Sequence, residues 1–556
     1  MRGSAGWLIG VRPYALLVCL CLFLYLPGIS AIPPLDRDEA RFAQATRQML
    51  ETGDFLRIRF QDEARNKKPA GIYWLQAISV SAFSTPAATA IWPYRLPSLL
   101  GGIAAVLLTF AIGGALFAGA TEKRRIAAIA AVLLASALGM VAEVHIAKTD
   151  AALLAVVMAG QGALGLAYVR ARTGRPVPGW VAIMFWAAEL AAIFLKGPPG
   201  PALAVVTAAA LSIADGNWRW LRGLYPVAGI IALALGLAPW LIAIQRATDG
   251  GFLADALGHD LLMKLVGAQE SHGAPPGTYL LLAPATLWPF SALLGIAGIA
   301  GWRGRGDAAT RFLVAWIVPS WLLFELVPTK LPHYLLPVYP ALALLAGAAL
   351  AHGGEIARRK WLDGIVFALW AIVGLALVVA LIGLPIAWGG GVAMLSLVPA
   401  AATISFGLVM LRQLWSGFLT NMAAIVPALA ILVFVPSYAV LLPSLDTLWL
   451  SRSAAALVAA HAPPAGAVVD TVGYNEPSLI FLLGGATRAV AAEQAAADIV
   501  ARPDALALVL ERDDAAFRAA LAARGAPAIR LGETRGINYS RSGARITLGL
   551  YGTAAR

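Results

Sequence analysis

Apolar runs of roughly 18 or more residues recur along most of this chain, each long enough to cross a hydrocarbon core of about 30 Å. Spanning helices are the economical answer, because a helix satisfies its own backbone hydrogen bonds where water is absent. A water-soluble fold would have no surface: 60% of the 556 residues are hydrophobic and 13% charged, against about 25% charged in soluble domains. The first run, about 9–28, follows basic residues as a signal peptide would, but no convincing small-x-small cleavage site follows it. It is read as a retained helix.

Counting runs gives roughly thirteen spans, near 9–28, 91–117, 125–143, 150–169, 178–195, 198–214, 223–244, 278–301, 311–327, 334–352, 362–384, 391–411 and 420–442. With Arg2 and Arg12 placed in the cytoplasm, every second loop is basic. These loops carry Lys123, Arg124 and Arg125, then Arg170, Arg172 and Arg175, then Arg219 and Arg222, Arg303 and Arg305, Arg358, Arg359 and Lys360, and Arg412. The net charge of +12 is therefore a topology signal, and no nucleic-acid partner is expected. Cys19 and Cys21, the only cysteines, fit neither a disulfide framework nor a closed metal site.

The complementary loops hold acids, histidines and lysines flanked by proline or glycine. Residues 451–556, polar and on the same side as those loops if the span count is odd, alternate at 467–472, 505–510 and 544–550 and turn helical at 513–524. The expected organisation is a transmembrane domain over 1–450, containing a first periplasmic loop at 29–90, and a small α/β domain over 451–556.

That first loop opens with Pro33-Pro34-Leu35-Asp36-Arg37-Asp38-Glu39-Ala40-Arg41, which predicts a short helix over about 38–51. Asp38 and Arg41 lie three apart on one turn. Asp38 is either an N-cap paired with Arg41 or part of a charged pocket with Lys67-Lys68-Pro69, bordered by Tyr73 and Trp74 at interface depth. Asp150, after Lys148-Thr149, either caps the fourth span or faces a water-filled cavity. Lys196, in a turn between spans, either snorkels or binds anion. Lys330 and His333 suit phosphate and Tyr334 suits a sugar face, although the same residues also serve as interfacial anchors. Acids and cations converging from several loops suit a hydroxyl nucleophile and an anionic leaving group: Asp38 as base, lysine and arginine on the phosphate.

The runs Asp36-Arg37-Asp38-Glu39-Ala40-Arg41-Phe42-Ala43, Gly53-Asp54-Phe55-Leu56 and Asn66-Lys67-Lys68-Pro69 with Tyr73-Trp74-Leu75 resemble the first periplasmic loop of bacterial protein-mannosyltransferase-like enzymes, glycosyltransferase family 39. Among these the chain is most similar to the aminoarabinose transferases that modify lipid A. Lys148-Thr149-Asp150, Lys196-Gly197-Pro198 and the run from Lys330 to Pro337 match motifs of the same group.

The resemblance implies an all-α polytopic fold of the GT-C type, with interfacial helices in the first loop and a periplasmic C-terminal domain. It implies transfer of a sugar, with inversion, from undecaprenyl or another polyprenyl phosphate to lipid A or a related acceptor. Asp38 and Asp150 fall on the catalytic acids, and Arg41 and Lys68, with Lys196 and Lys330, on the donor-phosphate side. Glu39, Tyr73, His333, Tyr334, Glu270 and His272 are the expected substrate contacts. Position 67 is Lys where the aminoarabinose enzymes usually have Glu, and Phe42 replaces a common Tyr. No cofactor is firmly expected; Glu270 and His272 leave a divalent metal as the lesser alternative, since two potential ligands are too few for a site. The expected protein is a monomer in the inner membrane with a cytoplasmic N-terminus. The rivals are the same chemistry on a protein or polysaccharide acceptor, and a flippase or transporter, which would want acids at mid-span; Glu189 and Glu325 are the main such residues.

Overall fold

The computed structural model describes residues 10–256, 258, 273–352, 359–389, 394–416, 419–461, 467–484, 487–502, 504–541 and 543–553. Among the described residues, nine helices are long and apolar enough to cross a bilayer. Two further pairs pass as bent units: Lys123–Ala135 with Leu138–Val144 at 61°, and Thr278–Thr286 with Phe290–Gly304 at 116°. That makes up to 11 crossings where about thirteen were expected. The difference lies in the runs at 9–28 and 198–214, which form shorter helices, Arg12–Tyr25 (14 residues) and Pro199–Asp215 (17 residues). The second is cut short because Pro198 precedes its start and Gly216, at φ 60°, ends it in the left-handed conformation.

The elements that build one end of the bundle come early in the chain: α1 (Arg12–Tyr25), α2 (Asp38–Thr52), α3 (Gly71–Phe83), α4 (Trp92–Leu116), α5 (Lys123–Ala135), α6 (Leu138–Val144), α7 (Asp150–Arg172) and α8 (Gly179–Lys196). The span of α7 is 78% buried and sits at the centre, whereas Pro226–Ala247 and Lys360–Trp388 bury only 17% of theirs. These outer helices carry exposed Ile230, Leu235, Ile365 and Ile372, an arrangement suited to lipid. Small residues let the inner helices approach closely. A Cβ on Gly101 of α4 would lie 2.5 Å from the Ala152 Cα of α7, and one on Gly71 would lie 2.5 Å from the Phe194 carbonyl of α8. The first contact sets where α7 begins; the second seats α3 beside Lys196.

At its far end α7 is tied by Asp215, which accepts from the Tyr168 hydroxyl at 2.7 Å and from Arg172 at 2.8 Å, and pairs with Arg311 at 2.7 Å.

Helix α2 has Asp38 and Glu39 in its first turn, where the helix dipole favours acids, and stops at Gly53, φ 69°. Its apolar face buries Phe42, Ala45 and Met49. Neither Asp38 nor Asp150 is an N-cap. Each is the first residue of its helix, after Arg37 and Thr149, and neither helix has a capping side-chain hydrogen bond.

Beyond the apolar bundle a second hydrophobic core forms around a five-stranded sheet, β3 (Val469–Val472), β4 (Thr487–Ala489), β5 (Leu506–Leu510), β6 (Ile529–Asn538) and β7 (Ala544–Gly552), in the order β4-β3-β5-β7-β6. The small antiparallel pair β1 (Arg59–Phe60) and β2 (Glu63–Ala64) lies in the first loop. β4, β3 and β5 are parallel and β5, β7 and β6 antiparallel. Every residue of β5 is buried, as a strand covered on both faces requires.

Candidate active site

Several side chains near the beginning of α2 and α7 are held by backbone that is itself locked. Glu39 and Arg95 form a bidentate pair at 2.8 Å through both Nε and Nη2, with neither side chain exposed. Arg95 also donates to the carbonyls of Ile29, Ile32 and Pro33, while Glu39 accepts from the amides of Leu35 (2.8 Å) and Ala147 (2.7 Å). One buried ion pair thus fixes the chain before α2 and the chain before α7. Ser98 of α4 donates to the carbonyls of Ile146 and Lys148, and Gln76 of α3 to that of Ala147, so the 145–149 segment is held from three helices.

The frame encloses a cavity of about 480 Å³, lined from α2 by Asp38, Arg41 and Phe42, from the first loop by Arg65, Lys67 and Lys68, and from the later loops by Lys148, Asp150, Lys196, His333 and Tyr334. Seven lysines and arginines line it against four acids, and one of those acids, Glu39, is already neutralised by Arg95. Such a surplus of cations favours an anion of phosphate type.

Inside the cavity the charges are ordered. Lys196 donates to Asp150 and lies 5.0 Å from the Tyr334 ring centroid. Lys148 pairs with Glu143 at 3.0 Å and Asp150 at 3.7 Å, and donates to His333 Nδ1 at 3.1 Å. With Nδ1 accepting, a neutral His333 carries its proton on Nε2, 3.6 Å from Asp150. Burial alone would lower the Lys148 pKa; the Glu143 and Asp150 carboxylates outweigh it, the net direction is up, and the ammonium stays charged. Asp38 differs: it is exposed to the cavity, and its electrostatic neighbours include Lys148 and Tyr73.

Of the residues expected from sequence, Asp38, Arg41, Lys68, Asp150, Lys196, His333 and Tyr334 share this cavity. Three expectations need correction. Lys330 turns away and donates to the carbonyls of Glu325 (2.9 Å) and Val327 (2.6 Å), which fixes the end of the preceding helix instead of reaching phosphate. Tyr73 is fully buried, packed on Phe42 at 5.2 Å, and accepts from Arg65 at 3.2 Å, so it supports the wall from behind. Glu39 reaches the lining, but its carboxylate is spent on Arg95 and two amides, which leaves it a framework role. Glu270 and His272 lie outside the described residues. Among the described residues no group of three or more His, Cys, Asp or Glu is placed to hold a metal ion.

Sequence reasoning assigned no site role to Lys148, Arg65, Tyr539 or Ser540, all of which line the cavity. The position of Lys148, two residues before Asp150, was the available signal for the first. Tyr539 and Ser540 follow β6 in a turn whose local pattern says nothing of a partner about 500 residues away.

No family model matches the chain. Curated relatives do. An undecaprenyl phosphate-alpha-4-amino-4-deoxy-L-arabinose arabinosyl transferase 2 of Pseudomonas fluorescens (strain Pf0-1) is 28% identical over 362 residues, 65% of this chain and 64% of the relative. The corresponding transferase of Edwardsiella ictaluri (strain 93-146) is 26% identical over 392 residues, 70% of this chain and 67% of the relative. The match thus spans just under two thirds of the length of the Pseudomonas relative. Among solved structures, ArnT from Cupriavidus metallidurans in the apo state has a TM-score of 0.71 at 19% identity, covering 99% of this chain and 98% of that one. The same protein bound to undecaprenyl phosphate has a TM-score of 0.69 at 18% identity, covering 98% of each chain. The chain is therefore similar in sequence to aminoarabinose transferases and alike in fold to ArnT over nearly its whole length.

Proposed function

We propose that this protein is a glycosyltransferase that moves a sugar from a polyprenyl phosphate, of the undecaprenyl kind, to a hydroxyl or phosphate of lipid A or a related glycolipid. The observation that carries the reading is the cavity itself: a cationic lining with one carboxylate, Asp38, open to it. Arg41, Lys68 and Lys196 hold the donor phosphate and stabilise its charge as the glycosidic bond breaks. Asp38 takes the proton of the acceptor as it attacks from the opposite face of the sugar, which inverts the anomeric centre. Asp150 orients Lys196 and Lys148, its oxygens being engaged by them and by His333.

The cavity lies on the periplasmic face in this reading, with the N-terminus cytoplasmic and α2 at the membrane interface. The count of thirteen spans is reached when Arg12–Tyr25 and Pro199–Asp215 are taken as crossings. Residues 451–556 then form a periplasmic domain beside the transmembrane domain of residues 1–450. A second reading keeps the chemistry and changes the sugar: Lys67 adds a positive charge to the cavity, which opposes a cationic aminosugar and favours a neutral or acidic one.

The test is to incubate the purified protein with a panel of polyprenyl-phosphate sugars and membrane lipid extracts and to follow acceptor mass. Wild type transfers one of them, and Asp38→Asn loses about 10²–10⁴-fold in rate. Equal transfer by the Asp38→Asn variant removes Asp38 from the role of base.

A further inference from the structure

The entry to α2 is tied to the C-terminal domain by a set of hydrogen bonds that the transfer chemistry does not itself need. The Asp36 carboxylate accepts from the amide and the hydroxyl of Ser478, each at 2.7 Å. The Asp36 amide donates to the Tyr539 hydroxyl at 2.9 Å. Arg37 donates to the Ser540 carbonyl at 2.6 Å and lies 3.8 Å from Glu476.

The contacts continue inward. Ser478 Oγ lies 2.6 Å from Ser451 Oγ, which lies 2.8 Å from the Tyr474 hydroxyl. A hydroxyl carries one proton, so with Ser478 donating to the carboxylate, the proton order runs from Tyr474 through Ser451 and Ser478 to Asp36. Both Asp36 oxygens are engaged in this way, which rules the residue out as the base.

What this anchor controls is the first turn of α2. The Leu35 carbonyl accepts from the Ala40 amide at 3.1 Å and the Arg37 carbonyl from the Arg41 amide at 3.2 Å. The carbonyls of the residues on either side of Asp36 are thus the template on which Asp38 and Arg41 are set. We propose, on the basis of the transferase reading above, that Asp36 is a positioning residue through which Ser478 and Tyr539 of the C-terminal domain hold Asp38 and Arg41 in register with the cationic cavity. The domain is then a working part of the site, in keeping with Tyr539 and Ser540 in its wall.

The body of α2 is attached to the same domain independently, by Arg47 donating to the Phe481 carbonyl at 2.7 Å. The first loop adds Gln61 donating to the Thr487 carbonyl at 2.6 Å. Loss of the Asp36–Ser478 contact therefore loosens the entry turn without undocking the domain.

The experiment uses the full chain with Ser478→Ala, Asp36→Asn and the double variant. Transfer per folded molecule falls about tenfold in each single variant through kcat, with donor KM unchanged, since a small displacement of reacting groups is felt in the rate. The double variant is no slower than the worse single one, because both remove the same contact. Amide exchange across residues 35–41 rises in Ser478→Ala while that of β3 stays as in wild type. Full kcat in the single variants, multiplying losses in the double variant, or unchanged exchange at 35–41 overturns the proposal. If wild type transfers no sugar from the donor panel, the transferase reading falls instead, and exchange at 35–41 alone decides whether Asp36 orders the turn.

Discussion

Glu39 and Arg95 face each other through two parallel 2.8 Å hydrogen bonds, with both side chains out of reach of solvent and 56 residues apart in the chain. The pair is the joint at which the approach to α2 and the 145–149 segment meet, so it carries the geometry of the cavity without touching its contents.

Removing one partner of such a pair leaves the other charge buried and alone. Arg95→Leu, which also strips three backbone carbonyls of their donor, should destabilise the protein by about 3–5 kcal/mol. A thermal unfolding scan in detergent reads this as a clear fall in midpoint. An unchanged midpoint would show that the pair does not hold the frame.

Lys196 and Lys330 were alike in sequence and differ in structure, which gives a contrast of variants. Lys196→Met removes a cation from the cavity and should lower kcat/KM for the donor by about 10²-fold or more. Lys330→Met removes a tie to the Glu325 and Val327 carbonyls and should cost stability of about 1–3 kcal/mol while sparing donor binding. Steady-state kinetics beside unfolding midpoints separate the two, and a donor-affinity loss at Lys330 would contradict its orientation.

Asp36 gives the order of the α2 entry turn a pH dependence of known sign. Burial pushes its carboxyl from the ordinary 3.8 up to about 6, the Ser478 hydrogen bonds pull the other way, and the Glu476 charge adds to the rise. Tyr539, Tyr474 and Arg37 are the other titratable groups around it. A raised folded pKa means the contribution is complete below the unfolded value and is lost as pH climbs through about 6. Protection of residues 35–41 from protease or amide exchange should therefore weaken as pH rises from the ordinary 3.8 to about 6 and change little above it. Asp36→Asn should flatten that dependence; a wild-type profile retained in the variant assigns it to another group.

Reporter insertions test the arrangement in the membrane. One in the loop between α4 and α5, at Gly119, should behave as cytoplasmic, and one at Gly525, in the turn after the helix Asp514–Ala522, as periplasmic. The pair bent by 116° sharpens the experiment. A reporter at Gly306 reads as cytoplasmic if that pair crosses the bilayer and as periplasmic if it turns back, which would invert every later assignment.

The apolar runs made the bundle legible, because lipid imposes a length and a polarity that any helix crossing it must show. The cavity residues were legible where charge stands against that background: Asp38, Arg41 and Lys68 in the first loop and Asp150, Lys196 and His333 at span ends, and they meet. Lys330 shows the limit, since a lysine at a span end can equally fold back onto the carbonyls that a helix leaves open. Tyr73 shows another: an aromatic beside a polar loop reads as a wall, and which side of the wall it occupies depends on the packing of Phe42 and Arg65. The C-terminal contribution was out of reach because Asp36 and Tyr539 are joined across 503 positions by one hydrogen bond that no periodicity encodes. In the domain itself, strands run through the alternating stretches near 469, 506 and 544, while Thr487–Ala489 is three residues long and Ile529–Asn538 is interrupted by a shift of register, so neither alternates cleanly.

Helix α7 is fastened at both extremities, by Asp150 with Lys196 and Lys148 at one and by Arg172 and Tyr168 with Asp215 at the other. A rod pinned at two points cannot slide along its own axis without breaking one set of pins. A thinner or thicker membrane is then accommodated by tilting of the loosely packed peripheral helices Pro226–Ala247 and Lys360–Trp388, for which mismatch costs only fractions of a kcal/mol per Å. The depth at which Asp150 and its two lysines sit becomes a property of the protein, held constant while the lipid around it changes.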